Sequence, residues 1–203
     1  MKLFYAATSP YARKVRIVAS ELGLSDKIDL VEISVAPGKP NLDYGRDTNP
    51  LRKIPALTLD DGSTIVDSFL IAEYLDDLGG NKLMPASGPK RWQIRNEHVI
   101  VQGMLEAMLL GRYERILRPE PLRWQMWFDD QWDRAWQGMR HFEERSDISE
   151  RTFDLAQIAL ACALGYADFR YADHPWRETY PKLAAFSEKM LRRPSIKETV
   201  PTA

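Results

Sequence analysis

Two short stretches near the start of the chain have the hydrophobic pattern of β-strands. The first, residues 2–5, is mostly apolar, and the second, residues 31–35, alternates branched apolar residues with polar ones. Between them, apolar residues recur at helical spacing until Gly23, which is a typical helix terminator. The apolar face of this predicted helix comprises Tyr11, Val15, Val18 and Leu22, with Arg13, Lys14 and Arg16 on much of the other side. The pattern predicts a β-α-β unit whose two strands are parallel neighbours or near neighbours.

A second block of strands and a helix follows. Residues 56–59 and 64–66 are predicted strands, and the Asp-Gly pair between them favours a tight turn because glycine accepts a positive φ. A helix is predicted to begin at about Asp67 and to end at Gly79-Gly80. Four short strands with helices, in the order β-α-β, loop, β-β-α, fit a thioredoxin-like layout. We therefore predict an α/β thioredoxin-like domain over residues 1–79.

The chain beyond this block contains only helical patterns. Residues 80–89 are rich in glycine and proline and form the predicted linker. Apolar stripes at helical spacing then continue to the last predicted helix, which ends before Pro194. The stripes comprise Val101, Met104, Leu105 and Met108; Leu155, Ile158, Cys162, Tyr166 and Phe169; and Phe186 with Met190. We predict an all-α helical-bundle domain over residues 90–203.

Composition and charge restrict the classes of function. The 28 lysines and arginines nearly balance the 29 acidic residues, whereas a nucleic-acid binder usually has a basic excess. The single cysteine, Cys162, cannot form an internal disulfide or a CxxC redox pair, and the three histidines lack metal-binding spacing. Neither a signal-peptide core nor an apolar run of about 20 residues is present. We expect a cytoplasmic protein without a structural metal, a nucleic-acid partner or a membrane span.

The first candidate site is the run Thr8-Ser9-Pro10-Tyr11 at the junction of the first strand and helix. A serine followed by proline is a strong helix start, with Ser9 as N-cap and Pro10 at the first helical position. Such a helix N-terminus offers free N–H groups and a positive dipole end to an anion. A capping role alone is the commoner use of serine at this place. No GxSxG motif surrounds Ser9, so a serine hydrolase is not indicated.

Two more candidate sites lie further along the same domain. Ile54-Pro55 precedes the third predicted strand, where proline removes a ladder donor and leaves local backbone groups to pair elsewhere. Asp67-Ser68 opens a predicted helix, where a carboxylate, a hydroxyl and free N–H groups can hold an amino-acid head group. An ordinary loop proline and a plain N-cap are the alternatives when each pair is taken by itself.

Together, the order of these segments resembles that of the cytosolic glutathione transferase family. The resemblance covers essentially the whole chain, from the Ser-Pro helix start to the all-α half. Residues 8–14 look like the Thr-Ser-Pro-aromatic-x-Arg-Lys start of bacterial transferases. Residues 154–166 resemble the family's buried helix. Asp154 stands where the family commonly has Ser or Thr, and Gln157 stands where it commonly has Asp. Aspartate is a good N-cap and glutamine can reach back, so we expect a capping box in altered form.

The resemblance implies that the first half binds glutathione. The Ile54–Pro55 bond is expected to be cis, with the isoleucine backbone paired to the cysteinyl unit like an added strand. Asp67 and Ser68 are expected to hold the γ-glutamyl end. Lys53, alone or with Arg52, is expected to reach the glycyl carboxylate.

The implied reaction is conjugation of the glutathione thiolate to a small hydrophobic electrophile, without a further cofactor. Ser9 is expected to donate its hydroxyl proton to the sulfur, and Thr8 is the alternative hydroxyl. A second-substrate pocket between the halves is expected to be lined by Tyr11, Met104, Met108 and Tyr113. A position in the bundle core is the alternative for both methionines.

Other functions on the same fold stay open. A non-catalytic glutathione-binding or regulatory protein and a glutathione-dependent dehalogenase or isomerase are the alternatives, because a fold does not dictate its chemistry. A thiol–disulfide oxidoreductase would need a cysteine at position 9, where the chain has Ser9. The resemblance also implies a role in detoxification and a homodimer, with the helix from Asp67 and the helix over residues 92–108 near the interface.

Overall fold

A four-stranded mixed sheet organises the N-terminal half of the protein. The structure, a computed structural model, describes residues 1–145 and 147–201. The strands are β1 (Lys2–Tyr5), β2 (Asp29–Glu32), β3 (Ala56–Thr58) and β4 (Thr64–Ile65), in the spatial order β2-β1-β3-β4. β1 and β2 are parallel, whereas β3 pairs antiparallel with both β1 and β4. The thioredoxin-like layout predicted from the sequence is confirmed.

Strand β2 differs from its prediction in position. The alternating pattern placed it at residues 31–35, but the strand ends at Glu32. The Ile33 N–H still donates to the Tyr5 carbonyl at 2.9 Å. β1 ends at Tyr5, which lies opposite Glu32. The rest of the predicted strand, up to residue 35, therefore has no partner strand and leaves the sheet.

Three α-helices accompany the sheet, α1 (Pro10–Glu21), α2 (Leu42–Asp47) and α3 (Ser68–Leu78), together with a short 3-10 helix at Ser25–Lys27. α1 and α3 begin after the predicted caps Ser9 and Asp67, and Gly23 follows α1 with a φ of 68°. α2 was not predicted, because six residues are too few for a helical hydrophobic period. Asn41 caps it by accepting from the Tyr44 N–H at 3.1 Å.

The remaining elements of the described chain are helices, as predicted for the second half. They are α4 (Pro89–Ile116), α5 (Gln125–Glu143), α6 (Leu155–Arg170), α7 (Trp176–Thr179), α8 (Pro181–Met190) and α9 (Pro194–Lys197), with a short 3-10 helix at Glu120–Leu122. The helix predicted to be the last is α8, which ends before Pro194; the four-residue α9 that follows was not predicted. The altered capping box of α6 is present: Asp154 accepts from the Gln157 N–H at 3.0 Å, and Gln157 accepts from the Asp154 N–H at 3.0 Å. No helix within the described ranges is long and apolar enough to cross a membrane.

The chain divides into two compact units. The first is Met1–Arg91 together with the residues from Ser195 onward, and the second, the helical unit, is Trp92–Pro194. The polar side predicted for α1 is wrong for two of its residues. Arg13 and Lys14, interpreted as part of its polar side, are only 4% and 0% exposed.

Arg13 connects α1 to the C-terminal stretch. Its guanidinium donates to the Ile196 carbonyl at 3.1 Å and to the Thr199 hydroxyl at 3.4 Å. The Ser195 hydroxyl donates to Glu21, which lies about two turns further along α1 than Arg13. These partners are about 180 residues away from α1 in the chain, so no local pattern could have indicated them.

A buried charge network lies inside the helical unit. Glu97 of α4 is 1% exposed and binds Arg145 at 2.8 Å and Arg151 at 2.5 Å. Arg151 also binds Asp154 at 2.9 Å, so one guanidinium joins α4 to the cap of α6. Burial alone would raise the pKa of Glu97, but the hydrogen bonds from Arg151 and Gln93 outweigh it and lower that pKa.

Candidate functional site

Three predicted site segments meet at one end of the sheet. Because β3 is antiparallel to β1, its first residue, Ala56, lies opposite Phe4 near the end of β1. Because β4 is antiparallel to β3, its last residue, Ile65, lies opposite Leu57. The segments that follow β1, precede β3 and follow β4 therefore share this end. They carry Ser9, Ile54-Pro55 and Asp67-Ser68.

Ser9 has the geometry of an N-cap with one proton to spare. Its extended backbone (φ −83°, ψ 119°) precedes Pro10, and its Oγ accepts from the Ala12 N–H at 3.2 Å. A serine hydroxyl has one donor and two acceptor positions, so capping leaves its proton available. The half-exposed Ser9 has no other side-chain hydrogen bond within the described ranges. The hydroxyl can therefore donate to an anion at the positive end of α1.

The Ile54–Pro55 peptide bond is cis, as the family resemblance predicted. Pro55 is buried, whereas Ile54 is half-buried. Neither the N–H nor the C=O of Ile54 has a hydrogen-bond partner among the residues that the structure describes. A free N–H and a free C=O on one residue are what an added extended segment needs for pairing.

Two residues that sequence reasoning missed hold the preceding loop in place. The Lys53 carbonyl accepts from the Tyr44 hydroxyl at 2.8 Å and from the Asn49 side chain at 2.7 Å. Asn49 is 1% exposed and also accepts from the Leu51 N–H at 3.0 Å. Burial raises the pKa of Tyr44 to about 12, so its hydroxyl stays a donor at neutral pH. The Asn49-Pro50 dipeptide is a turn signal that could have identified Asn49.

Lys53 and Arg52 extend from this fixed loop. Both side chains are exposed, and Arg52 adopts a positive φ of 53°. A Cβ on Gly45 would lie 2.9 Å from Arg52 Cγ, so this glycine leaves room for the arginine stem. The structure thus keeps both cationic side chains accessible beside Ile54.

Asp67 and Ser68 form the N-terminus of α3. The Oδ1 atom of Asp67 accepts from the Phe69 N–H at 2.9 Å and from the Leu70 N–H at 3.4 Å. Its Oδ2 atom has no partner within the described ranges, and the preceding Val66–Asp67 peptide bond is cis. The Ser68 hydroxyl is buried without a hydrogen-bond partner. Asp67 is thus both an N-cap and a source of an uncommitted carboxylate oxygen.

The residues predicted to line a second-substrate pocket have different surroundings. Tyr11 is half-exposed in the first unit. Met104 and Met108 are 2% and 0% exposed, and Met104 packs against Gly138 inside the helical unit. This burial favours the core interpretation of the methionines. Tyr113 is half-exposed, and burial raises its pKa. The pocket assignment of all four residues stays a prediction.

Comparisons with known proteins agree with this geometry. The sequence model described as "Glutathione S-transferase, N-terminal domain" matches residues 8–78, and "Glutathione S-transferase, C-terminal domain" matches residues 125–189. The chain is 29% identical to the uncharacterized GST-like protein YibF of Escherichia coli, over 99% of this chain and 98% of that protein.

Solved structures are similar over the full length. A glutathione transferase family member from Pseudomonas fluorescens Pf-5 with bound glutathione has a TM-score of 0.95 and 38% identity, covering 100% of this chain and 99% of that one. A structure from the same organism with bound S-(propanoic acid)-glutathione has a TM-score of 0.91 and 36% identity, covering 100% of both chains.

Proposed function

The chain belongs to the glutathione S-transferase family, and from this premise we propose that it conjugates the thiolate of glutathione to a small hydrophobic electrophile. The observation that carries the proposal is the spare proton of Ser9 at the N-terminus of α1. Glutathione is a co-substrate in this reaction, and no further cofactor takes part. Thiols are kept reduced by glutathione in the cytosol, so a cytoplasmic location is part of the proposal.

We assign the glutathione contacts to the shared end of the sheet. The unpaired N–H and C=O of Ile54 would bind the backbone of the cysteinyl unit. The free Oδ2 of Asp67 would accept from the γ-glutamyl ammonium, and the N-terminus of α3 at Ser68 would face the adjoining carboxylate. The exposed Lys53 would reach the glycyl carboxylate. The similar Pseudomonas fluorescens structures, one with bound glutathione and one with bound S-(propanoic acid)-glutathione, support glutathione as the ligand.

The proposed chemistry depends on lowering the pKa of the bound thiol. A free thiol has a pKa of about 8.5 and is mostly protonated at neutral pH. Lowering that pKa by about 2 units requires about 2.7 kcal/mol of preferential thiolate stabilisation. A hydrogen bond to a charged group contributes about 1.5–3 kcal/mol, and a helix N-terminus adds about 0.3–1 kcal/mol. The Ser9 hydroxyl and the α1 dipole together are of the required size.

A titration of the bound thiol tests the proposed function directly. We expect the thiolate absorbance of glutathione on the protein to develop with a midpoint about 2 pH units below that of free glutathione. Binding without such a shift would contradict a transferase and favour the non-catalytic glutathione-binding protein. If the shift is present, a panel of electrophiles then distinguishes conjugation from dehalogenation and isomerisation.

The substitution Asp67→Asn tests the assigned γ-glutamyl contact. Asparagine can still accept from the Phe69 N–H, so α3 keeps its cap while the carboxylate charge is lost. We expect the Kd for glutathione to rise by about 10- to 100-fold, because a charge-assisted hydrogen bond becomes a neutral one. Calorimetric titration of the folded variant measures the change.

Asp61→Asn is the matched control for this substitution. Asp61 lies in the turn between β3 and β4, at the opposite end of the hairpin from the candidate site. The same charge is lost there, and we expect an unchanged Kd. An Asp67→Asn protein that binds glutathione as tightly as the Asp61→Asn protein would remove Asp67 from the site.

We also propose that the protein is a homodimer that acts in detoxification. Each of the two helices of the implied interface has exposed apolar side chains, which supports the dimer because exposed apolar surface can mark an interaction site. These side chains are Leu70 and Leu78 of α3, and Trp92 and Val99 of α4.

A further inference from the structure

A cavity of about 330 Å³ lies at the C-terminal ends of α4 and α6. Its volume is near the lower limit of the roughly 300–1,000 Å³ range of small-molecule sites. The lining residues are Arg112, Arg115, Ile116, Arg123, Arg170 and Tyr171. All of them belong to the helical unit, and four are arginines. The cavity therefore has a strongly cationic wall inside a protein of nearly neutral net charge.

The four arginines differ in how their charges are compensated. Arg115 binds Asp173 at 2.8 Å. Arg123 donates to the Arg118 carbonyl at 3.3 Å, and its charge acts on the nearby carboxylate of Glu114. Arg112 and Arg170, in contrast, have no acidic partner among the residues that the structure describes.

Of the two arginines without an acidic partner, Arg170 has the less favourable surroundings. Its Nε atom is inaccessible to solvent and has no hydrogen-bond partner, and its guanidinium lies 3.7 Å from the ring centroid of Phe169. Burial and the positive charge of Arg112 lower the pKa of Arg170. Two positive charges without acidic partners beside one cavity favour the binding of an anion there.

The other lining residues, Tyr171 and Ile116, supply no free polar group to an anionic ligand. The Tyr171 hydroxyl donates to the Met108 carbonyl, so it is committed within the protein. Ile116 adds only apolar surface. Recognition must therefore come from the guanidinium groups, whose planar donor pairs match the oxygens of a carboxylate or a phosphate.

We propose that this cavity binds a small oxyanion, a carboxylate or a phosphate group, held by Arg112 and Arg170. The site lies wholly within the helical unit and does not require bound glutathione. Arg112 is the chain neighbour of Tyr113, which is assigned to the second-substrate pocket, and its charge acts on that tyrosine. The test uses the full chain without glutathione, so that it reports on anion binding at this cavity and not on the proposed transferase reaction.

Calorimetric titration with two probes, inorganic phosphate and succinate, tests the site in chloride buffer at constant ionic strength. We expect saturable binding of at least one probe to the unsubstituted protein. Arg170→Gln and Arg112→Gln should each weaken that binding by about 10- to 100-fold, as expected for losing a hydrogen bond between charged groups. Phosphate alone binding would identify a phosphate site, and succinate alone a carboxylate site.

Arg134→Gln is the matched control, because it removes the same charge from an exposed pair with Asp130 on α5. We expect this variant to bind the probes like the unsubstituted protein. A thermal melt provides a second readout: the bound probe should raise Tm for the control but not for Arg170→Gln or Arg112→Gln. Arg170 has no acidic partner within the described ranges and its guanidinium lies over the half-buried ring of its neighbour Phe169, so its replacement should change Tm without probe by little, which separates lost binding from misfolding.

Several results would overturn the proposal. One is the absence of saturable binding of both phosphate and succinate. Another is full binding by both Arg170→Gln and Arg112→Gln. An equal loss of affinity in the Arg134→Gln control would also overturn it, since it would reflect net charge and not the cavity.

Discussion

Replacing Ser9 with alanine is expected to lower the rate of glutathione conjugation by about 100- to 1,000-fold, with little change in the Kd for glutathione. The hydroxyl proton is the assigned donor to the thiolate, whereas the binding contacts are assigned to other segments of the site. The thiolate titration of bound glutathione should shift toward about pH 8.5 in the variant, because the thiol loses its main stabilising donor. Turnover and thiolate absorbance measured on one preparation test both expectations.

The controls for Ser9→Ala separate its chemical and structural effects. The substitution also removes the N-cap of α1, which costs about 0.5–2 kcal/mol of stability, so folding must be checked by thermal melting. Ser9→Thr keeps a hydroxyl and a cap and should retain activity. Unchanged turnover in Ser9→Ala would reject the role of Ser9, and a large loss in Thr8→Ala instead would transfer that role to Thr8.

Replacing Arg151 with methionine should be the most destabilising single substitution proposed for this protein. Arg151 is 8% exposed at its side chain and binds both Glu97 and Asp154, so its loss leaves two buried carboxylates with reduced compensation. Breaking a buried ion pair by removing one partner costs about 3–5 kcal/mol. Chemical denaturation at pH 7 measures this loss. Arg134→Met, which breaks an exposed pair with Asp130, should cost less than about 1 kcal/mol.

The pH dependence of this loss has a defined sign. In the unsubstituted protein the pKa of Glu97 is lowered, so its stabilising contribution is present above its unfolded value of about 4.3 and is lost as the pH falls. Burial already raises the pKa of Asp154 despite Arg151. Without Arg151, burial should raise both folded-state values, and the destabilisation should shrink as acid protonates the carboxyl groups. A destabilisation that grows toward pH 4 would contradict this account.

Local sequence signals identified most of the first unit. The caps Ser9 and Asp67, the turn at Gly62 and the stop at Gly23 are single-residue features whose geometry depends on neighbours within four positions. They were therefore predictable, as was the capping box of α6 despite its altered residues. The meeting of the three site segments at one end of the sheet also requires β3 to pair antiparallel with β1, which the β-α-β and hairpin patterns do not specify by themselves.

The features that were missed depend on residues distant in the chain. The burial of Arg13 arises from partners in the C-terminal stretch. The arginine cavity joins the end of α4 to the end of α6, and the positions of Arg112 and Arg170 in the sequence carry no common period. The contact of Asn49 is local, because its side chain donates to the Lys53 carbonyl only four residues away. The Asn-Pro turn signal nevertheless does not specify which carbonyl that side chain reaches.

The bonds between Arg13 and the stretch at Ile196 and Thr199 have a practical consequence for dissection of the protein. A fragment that stops at Arg91 retains every strand and every assigned glutathione contact, yet it leaves the guanidinium of Arg13 without its acceptors. Such a fragment should be less stable than its strand content suggests. The missing acceptors would be restored by fusing residues 195–201 to the C-terminal side of Arg91 through a flexible linker. Adding the same residues as a free peptide would have the same effect.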